Sequence, residues 1–151
     1  MRNIILCLGL VLATSCISTK STLKNVNPQA VRPTFSEGRY HLTEYATDKK
    51  YGYDPDYPIN IGFINENQEA INVAYFFNAL EGELGEKITY NKTDSCCPFP
   101  TKNTTIGAGT LSIYEVAFEN STKKVLLYFN IYEKGALLCP KGFRIKKMDK
   151  N

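Results

Sequence analysis

Alternation of apolar and polar residues is clearest in two consecutive stretches in the second half of the chain. Residues 111–118 and residues 123–133 repeat with a period of two, and four polar residues separate them. This period predicts β-strands, and two strands joined by a tight turn predict an antiparallel hairpin. The second stretch is apolar on both faces, so we expect it to lie in the middle of a sheet.

The rest of the chain predicts further strands and one helix. Residues 39–47 and 58–64 repeat with a period of two, and residues 86–92 and 143–145 are strand-like in composition. From residue 65 to residue 80 the apolar period lengthens to that of a helix. The predicted fold class is α+β, a mainly antiparallel sheet of about five strands with one packed helix. The apolar residues on the predicted helix face are Ala70, Val73, Ala74, Phe77 and Leu80.

The first sixteen residues predict where the protein works. Arg2 precedes an apolar run at residues 4–12, which is shorter than the about 20 apolar residues that a bilayer-spanning helix needs. A basic start, an apolar middle and small residues before a cleavage site are typical of a secretory signal. Small residues 13–15 lead directly into Cys16, and this ATSC stretch resembles the lipobox of bacterial lipoproteins. The resemblance implies that Cys16 is lipidated, becomes the mature N-terminus and binds the protein to a lipid bilayer.

The domain organisation follows from this start. Residues 1–15 form a predicted lipoprotein signal peptide, although a plain secretory signal or a buried N-terminal helix would explain the same apolar run. Residues 16–38 are rich in Ser, Thr, Asn and Pro and lack apolar periodicity, so we expect a lipidated N-terminus and a flexible, disordered tether. Residues 39–151 are long enough for a single domain. The expected location is the bacterial cell envelope, with the protein lipid-anchored and either periplasmic or exposed at the surface.

The distribution of charge excludes one class of partner. The formal net charge is +3, and one modest basic cluster lies at the C-terminal end. A nucleic-acid-binding protein carries a basic stripe with aromatic partners, which this sequence lacks, so we expect no nucleic-acid partner. A solvated tail explains the cluster, with weak contact to anionic lipid headgroups as the alternative. The cluster consists of Arg144, Lys146, Lys147 and Lys150.

Three cysteines remain once the signal peptide and the lipidated residue are set aside. Cys96 and Cys97 lie in a predicted loop at residues 93–109, and Cys139 follows later. An exported protein meets an oxidising space, so we expect one disulfide between the adjacent pair and Cys139, with one thiol left over. A disulfide between the adjacent residues is an alternative that would be strained and easily reduced, which makes it a candidate redox switch. A zinc site of the three thiols and His41 is a weaker alternative, because structural zinc sites usually separate paired cysteines by about two to four residues.

Tyrosine and aspartate alternate in a turn-rich segment that we call the tyrosine loop. Tyr51, Tyr53 and Tyr57 are interleaved with Asp54 and Asp56, which predicts a candidate aromatic and acidic cradle for a sugar or a cation. Aromatic rings covering a sheet edge, with aspartates in turns, would explain the same residues. We expect no cofactor, no metal and no catalytic site, because no constellation of catalytic residues stands out in the sequence.

Short motifs across the domain carry a resemblance to a known family. YATDK at residues 45–49, YGY at 51–53, SCCPF at 95–99 and PKGF at 140–143 resemble a family of small lipoproteins from Bacteroidetes whose role is uncharacterised. The similarity covers residues 44–143, and SCCPF with PKGF is its most specific part. Relatives are sometimes labelled 2-dehydro-3-deoxyphosphooctonate aldolase, so the resemblance implies that activity as an alternative.

Three hypotheses for function follow from the sequence. The first is a membrane-anchored envelope lipoprotein whose domain is a non-catalytic binding or structural module, with an envelope protein or a glycan as its partner. The second is an enzyme, either thiol-dependent through Cys96 or Cys97 or with the aldolase activity named for relatives. The third is a sugar-binding module that uses the tyrosine loop.

Overall fold

The computed structural model describes residues 20–63 and 68–147. These residues form eight strands and one helix, which confirms the predicted α+β class. The elements are β1 (Phe35–Ser36), β2 (Arg39–Tyr40), β3 (Ile59–Asn60), α1 (Glu69–Asn78), β4 (Leu80–Gly82), β5 (Ile88–Pro100), β6 (Ala108–Phe118), β7 (Lys124–Asn130) and β8 (Phe143–Ile145).

The main sheet has four strands in the order β3-β7-β6-β5. β7 pairs antiparallel with β6, and β6 pairs antiparallel with β5. β3 runs parallel to β7, which makes the sheet mixed. Two small antiparallel sheets, β1 with β2 and β4 with β8, complete the described strands.

The predicted hairpin is confirmed by β6 and β7, which pair over six residue positions. β7 lies between β3 and β6, so its predicted central place in the sheet is correct. One of its two faces is less covered than the sequence suggests, because Leu126 is 46% exposed. The turn contains Asn120 at a φ of 58°, a left-handed conformation that asparagine tolerates better than most residues.

Strand β5 is longer than the sequence predicts. The predicted strand ends at residue 92 and a loop follows, whereas β5 continues along β6 as far as Pro100. Register irregularities between Lys92 and Asp94 and between Cys96 and Phe99 take up the residues that do not fit the ladder. The strand tolerates its prolines because it lies at the edge of the sheet and must donate hydrogen bonds on one side alone. The predicted loop is therefore wrong up to residue 100.

Helix α1 packs on the sheet with a face that differs in part from the predicted one. Val73 and Phe77 are buried as predicted, whereas Ala70 is exposed and Phe76 is fully buried. The rings of Phe76 and Phe77 both contact Phe129 of β7, with centroid distances of 5.6 and 5.4 Å. Phenylalanine buries far more apolar area than alanine, so the two rings determine which side of the helix faces the core.

The remaining predicted strands are shorter in the structure. The strands predicted at residues 39–47 and 58–64 reduce to β2 and β3, with two residues each. Tyr40 and Leu42 are both buried, as the alternation predicts. β8 confirms the predicted final strand, and its partner β4 begins at Leu80, which the sequence places in the helix.

Residues 20–38 contact the domain, which corrects the expectation of a flexible tether for this part of the chain. The backbone N–H of Lys24 donates to the carbonyl oxygen of Asp56 at 2.8 Å, and that of Asn27 donates to Lys134 at 2.7 Å. The segment has few apolar residues, so hydrogen bonds rather than a buried apolar face hold it in place.

Several sequence predictions fall outside the described residues. The predicted signal peptide and Cys16 precede residue 20, and residues 64–67, where the predicted helix begins, are also outside. The same holds for Lys150 of the basic cluster.

Candidate functional site

The adjacent cysteines are bonded to each other. Cys96 and Cys97 form a disulfide with their Cα atoms 3.7 Å apart, and Cys139 is a free, buried thiol. The predicted bridge between the pair and Cys139 is therefore wrong, and the adjacent-residue alternative is correct. The physical reason is separation across the sheet. Cys139 pairs with Tyr45 in an isolated bridge, and the N–H of Leu138 beside it donates to Tyr51, whose neighbour Gly52 lies against Ile59 of β3. The adjacent pair lies on β5, at the opposite edge of the sheet.

The disulfide lies at an irregular part of the edge strand. Cys97 has a φ of 59°, in the left-handed region, and the register of β5 shifts directly after Cys96. Both cysteines are partly exposed, so the disulfide lies near the protein surface. The bond closes a very small loop, so it constrains the unfolded chain less than a bridge between distant segments would.

Cys139 lacks the properties of a reactive thiol. It is fully buried, and burial raises the pKa of its thiol to about 12. Such a thiol is protonated at neutral pH, whereas the thiolate is the nucleophile and the metal ligand.

The zinc alternative has no support within residues 20–63 and 68–147, where no group of three or more His, Cys, Asp or Glu could hold a metal ion. His41 is instead hydrogen-bonded through its two ring nitrogens to the hydroxyl groups of Thr34 and Ser36, at 3.2 and 2.7 Å. The histidine therefore has a structural role close to β1 and β2.

Two of the three tyrosines of the tyrosine loop form hydrogen bonds within the fold. Tyr51 is 4% exposed, and its hydroxyl donates to the carbonyl oxygen of Ala136 and accepts from the N–H of Leu138. The Tyr53 hydroxyl donates to the carbonyl oxygen of Lys141. Burial of the Tyr53 ring raises the pKa of its hydroxyl to about 12. These two side chains therefore connect the loop to residues 136–141.

The aspartates of the tyrosine loop have local partners too. The carboxylate of Asp54 accepts from the N–H of Asp56 at 2.9 Å and lies 3.5 Å from the Lys50 ammonium group. That ammonium group is also 5.7 Å from the ring centre of Tyr57. The loop therefore matches the alternative of aspartates in turns.

An open groove with a volume of about 570 Å³ lies between helix α1 and the β5 edge of the sheet. Ligand sites commonly have volumes of about 300–1,000 Å³, so the groove is large enough for a small molecule. The edge position of β5 leaves its groove-facing side chains next to solvent. The lining residues are Glu69, Ala70, Val73, Tyr90, Asn91, Lys92 and Tyr114.

Glu69 is the central charged group of this groove. Its carboxylate accepts from the Lys92 ammonium group at 3.0 and 3.1 Å and from the Tyr114 hydroxyl at 2.9 Å. Burial alone would raise the pKa of Glu69, but hydrogen bonds from Ser112, Lys92 and Tyr114, together with the Lys92 charge, outweigh burial and lower it. Glu69 is therefore ionised and held in one orientation at neutral pH.

Two tyrosine rings form the aromatic part of the groove. The Tyr90 ring stacks on Phe77 of α1, with ring centroids 4.2 Å apart, so packing determines its orientation. Burial raises the pKa of Tyr90, and burial together with the Glu69 carboxylate raises that of Tyr114. Both hydroxyl groups therefore remain protonated at neutral pH and can donate hydrogen bonds.

The sequence predicts no functional role for the groove residues. Glu69 and Tyr114 are 45 positions apart, and the fold alone brings them together. The one available signal is Tyr90 and Lys92 at alternate positions of a predicted strand, which places both on one face of that strand.

A second cavity, of about 410 Å³, lies where residues 20–28 cover the domain. Glu133 and Lys102 line its domain side. The buried Glu133 carboxylate accepts from the Thr101 hydroxyl and from the Asn103 amide, so it already has partners within the fold.

Comparisons with protein-family models, with curated proteins and with solved structures found no match to this chain. Across residues 20–63 and 68–147, no helix has the length and apolar character needed to cross a membrane.

Proposed function

We propose that this protein is a lipid-anchored envelope protein whose domain is a non-catalytic binding module, with the groove beside α1 as its ligand site. The anchor is proposed from the ATSC stretch that ends at Cys16. The observation that supports a binding role is the groove, in which aromatic rings and an oriented carboxylate line one open space of about 570 Å³.

The chemistry of the groove favours a sugar as its ligand. Tyr90 contributes an aromatic ring fixed by Phe77, and such rings provide flat apolar surfaces. Glu69 and Lys92 contribute hydrogen-bonding groups beside that ring. A sugar ring has an apolar face and several hydroxyl groups, so it complements both parts of the groove, and glycans are among the partners expected for an envelope protein.

A glycan array tests this proposal and separates the groove from the tyrosine loop. The full-length protein in detergent is compared with Tyr90→Ala and Lys92→Ala in the groove and with Tyr57→Ala as the control. We expect both groove variants to lose glycan binding and Tyr57→Ala to retain it. Thermal unfolding of each variant shows whether it is folded. Retained glycan binding in both folded groove variants would contradict the proposed site. Loss of glycan binding in Tyr57→Ala alone would instead indicate that the ligand site lies in the tyrosine loop.

The enzymatic alternatives have less support. A thiol-dependent enzyme needs a thiolate, whereas Cys96 and Cys97 are bonded to each other and Cys139 is buried with a raised pKa. The aldolase label of the resembling family belongs to enzymes with (β/α)8 barrels, and the described sheet has four strands in mixed order. We therefore propose a binding role ahead of a catalytic one.

A further inference from the structure

The N-terminal segment leaves the domain at a defined place. Hydrogen bonds connect Lys24 to Asp56 and Asn27 to Lys134, and the Asn25 amide donates to the carbonyl oxygen of Pro58 at 2.6 Å. The backbone of this segment also lies close against Gly135, where an added Cβ would be 2.8 Å from the Asn25 carbonyl oxygen. The segment is therefore a fixed part of the domain surface.

The position of Cys16 limits how far the domain can be from the lipid. Cys16 precedes Lys20 by four residues, and four residues span at most about 14 Å even when fully extended. Lys20 lines the second cavity together with Lys102. A lipid on Cys16 would consequently hold this end of the domain close to the headgroups, which a free tether extending to residue 38 would not do.

We propose that the domain lies on the bilayer through its anchor-side face, which we define as residues 20–28 and the loop 101–107. This inference rests on the proposed lipid anchor and adds an orientation to it. The partner of this face is an anionic lipid surface. The short connection to Cys16 and the side chains of the face both favour this partner.

The anchor-side face has the composition of a surface that contacts anionic lipid. Ile106 is 84% exposed in the same loop as Lys102. Lys24, Lys102 and Lys134 are all exposed and lie in or beside the face. Two acidic residues lie nearby. Glu133 is buried and has hydrogen-bond partners within the fold, whereas Asp56 is exposed. The three exposed lysines therefore outnumber the exposed carboxylate. Lysines around an exposed aliphatic side chain favour contact with anionic headgroups.

This orientation places the groove away from the membrane. The loop 101–107 follows the end of β5, and Tyr90 and Lys92 lie eight to ten residues earlier in the same strand. At about 3.3 Å per residue, the groove is about 26–33 Å along β5 from the anchor-side end. A ligand in the envelope space would therefore reach the groove without competing with the lipid.

Single tryptophans test the orientation, because the natural sequence contains none. Ile106→Trp reports on the anchor-side face, and Leu84→Trp is the matched control, since Leu84 is 86% exposed and precedes β5 at its other end. The full-length variants are produced in an exporting host, checked for lipid on Cys16 by intact mass, and reconstituted in phosphatidylethanolamine–phosphatidylglycerol vesicles with brominated acyl chains.

We expect bromine to quench the indole fluorescence of the Ile106→Trp variant and its emission to shift to the blue, with neither change in the Leu84→Trp variant. Lipidated protein with equal quenching in the two variants, or with stronger quenching in Leu84→Trp, would overturn the orientation while leaving the anchor intact. A mass without lipid would instead refute the anchor, and the orientation with it.

Charge reversals test the role of the lysines in the same assay. In the Ile106→Trp background, Lys24→Glu with Lys102→Glu should reduce the quenching, because both lysines belong to the anchor-side face. Lys87→Glu with Lys123→Glu is the matched control, since both of these lysines are exposed outside that face, and it should leave the quenching unchanged. Unchanged quenching in the first pair would overturn the proposed role of charge.

Discussion

The hydrogen bond between Tyr114 and Glu69 should contribute more to stability than any surface ion pair of the described residues. The hydroxyl and carboxylate oxygens are 2.9 Å apart, Tyr114 is 6% exposed and the Glu69 side chain is 17% exposed. A hydrogen bond to a charged group contributes about 1.5–3 kcal/mol. The Lys92 side chain is 42% exposed, so its pair with Glu69 should contribute less than about 1 kcal/mol.

A double-mutant cycle measures this contribution. Glu69→Ala, Tyr114→Phe and the double variant are unfolded in urea, and the interaction energy is the part of the destabilisation that is not additive. We expect about 1.5–2 kcal/mol of coupling for this pair. The exposed pair of Glu115 and Lys124 is the reference, with about 0.5 kcal/mol or less, because its side chains are 35% and 59% exposed.

Equal coupling energies in the two cycles would refute the reasoning. That result would mean that water screens the Glu69 carboxylate as strongly as a surface group, and the groove would then lack an oriented charge. The slope of the unfolding free energy against urea concentration should be the same for all variants, since a changed slope would indicate an altered unfolded state.

Three further predictions concern acid stability, the thiols and the N-terminal segment. The pKa of Glu69 is lowered from its ordinary value of 4.5, so its ionised form stabilises the fold above that pH, and urea unfolding should show this contribution fading as pH falls through the lower, folded pKa. The Glu69→Gln variant should not lose this contribution to stability at low pH. If its stability depends on pH in the same way as that of the natural protein, Glu69 is not the source of the effect. Alkylation of the unfolded, unreduced protein followed by peptide mapping should modify Cys139 and neither adjacent cysteine, and modification of Cys96 or Cys97 would contradict the disulfide assignment. Gly135→Ala should displace the segment at Asn25, cost about 1–2 kcal/mol and speed tryptic cleavage after Lys24, whereas unchanged cleavage would show that the segment is not held there.

The parts of the fold that could be predicted from sequence are those with a local pattern. The β6–β7 hairpin is one of them, because alternation and a tight turn are both readable within residues 111–133. The position of the helix is predictable for the same reason, but Phe76 rather than Ala70 faces the core. Which face of a short helix is buried depends on the shape of the sheet beneath it, and the sequence of the helix alone does not contain that information.

The parts that could not be predicted depend on contacts between distant residues. The segment before residue 38 has no apolar period, and its contacts are hydrogen bonds to residues far along the chain, such as Asn27 to Lys134. The disulfide pairing depends on where Cys139, which lies outside the named strands, is placed relative to β5. The groove needs α1, β5 and β6 together, so no single stretch of sequence indicates it.

Intact-mass analysis of the protein extracted from bacterial envelopes tests the central claim most directly. We predict a chain that begins at Cys16 and carries the added mass of acyl chains, and Cys16→Ala should lack that mass and leave the membrane fraction. A soluble protein that retains residues 1–15 would contradict the anchor and, with it, the proposed orientation on the bilayer.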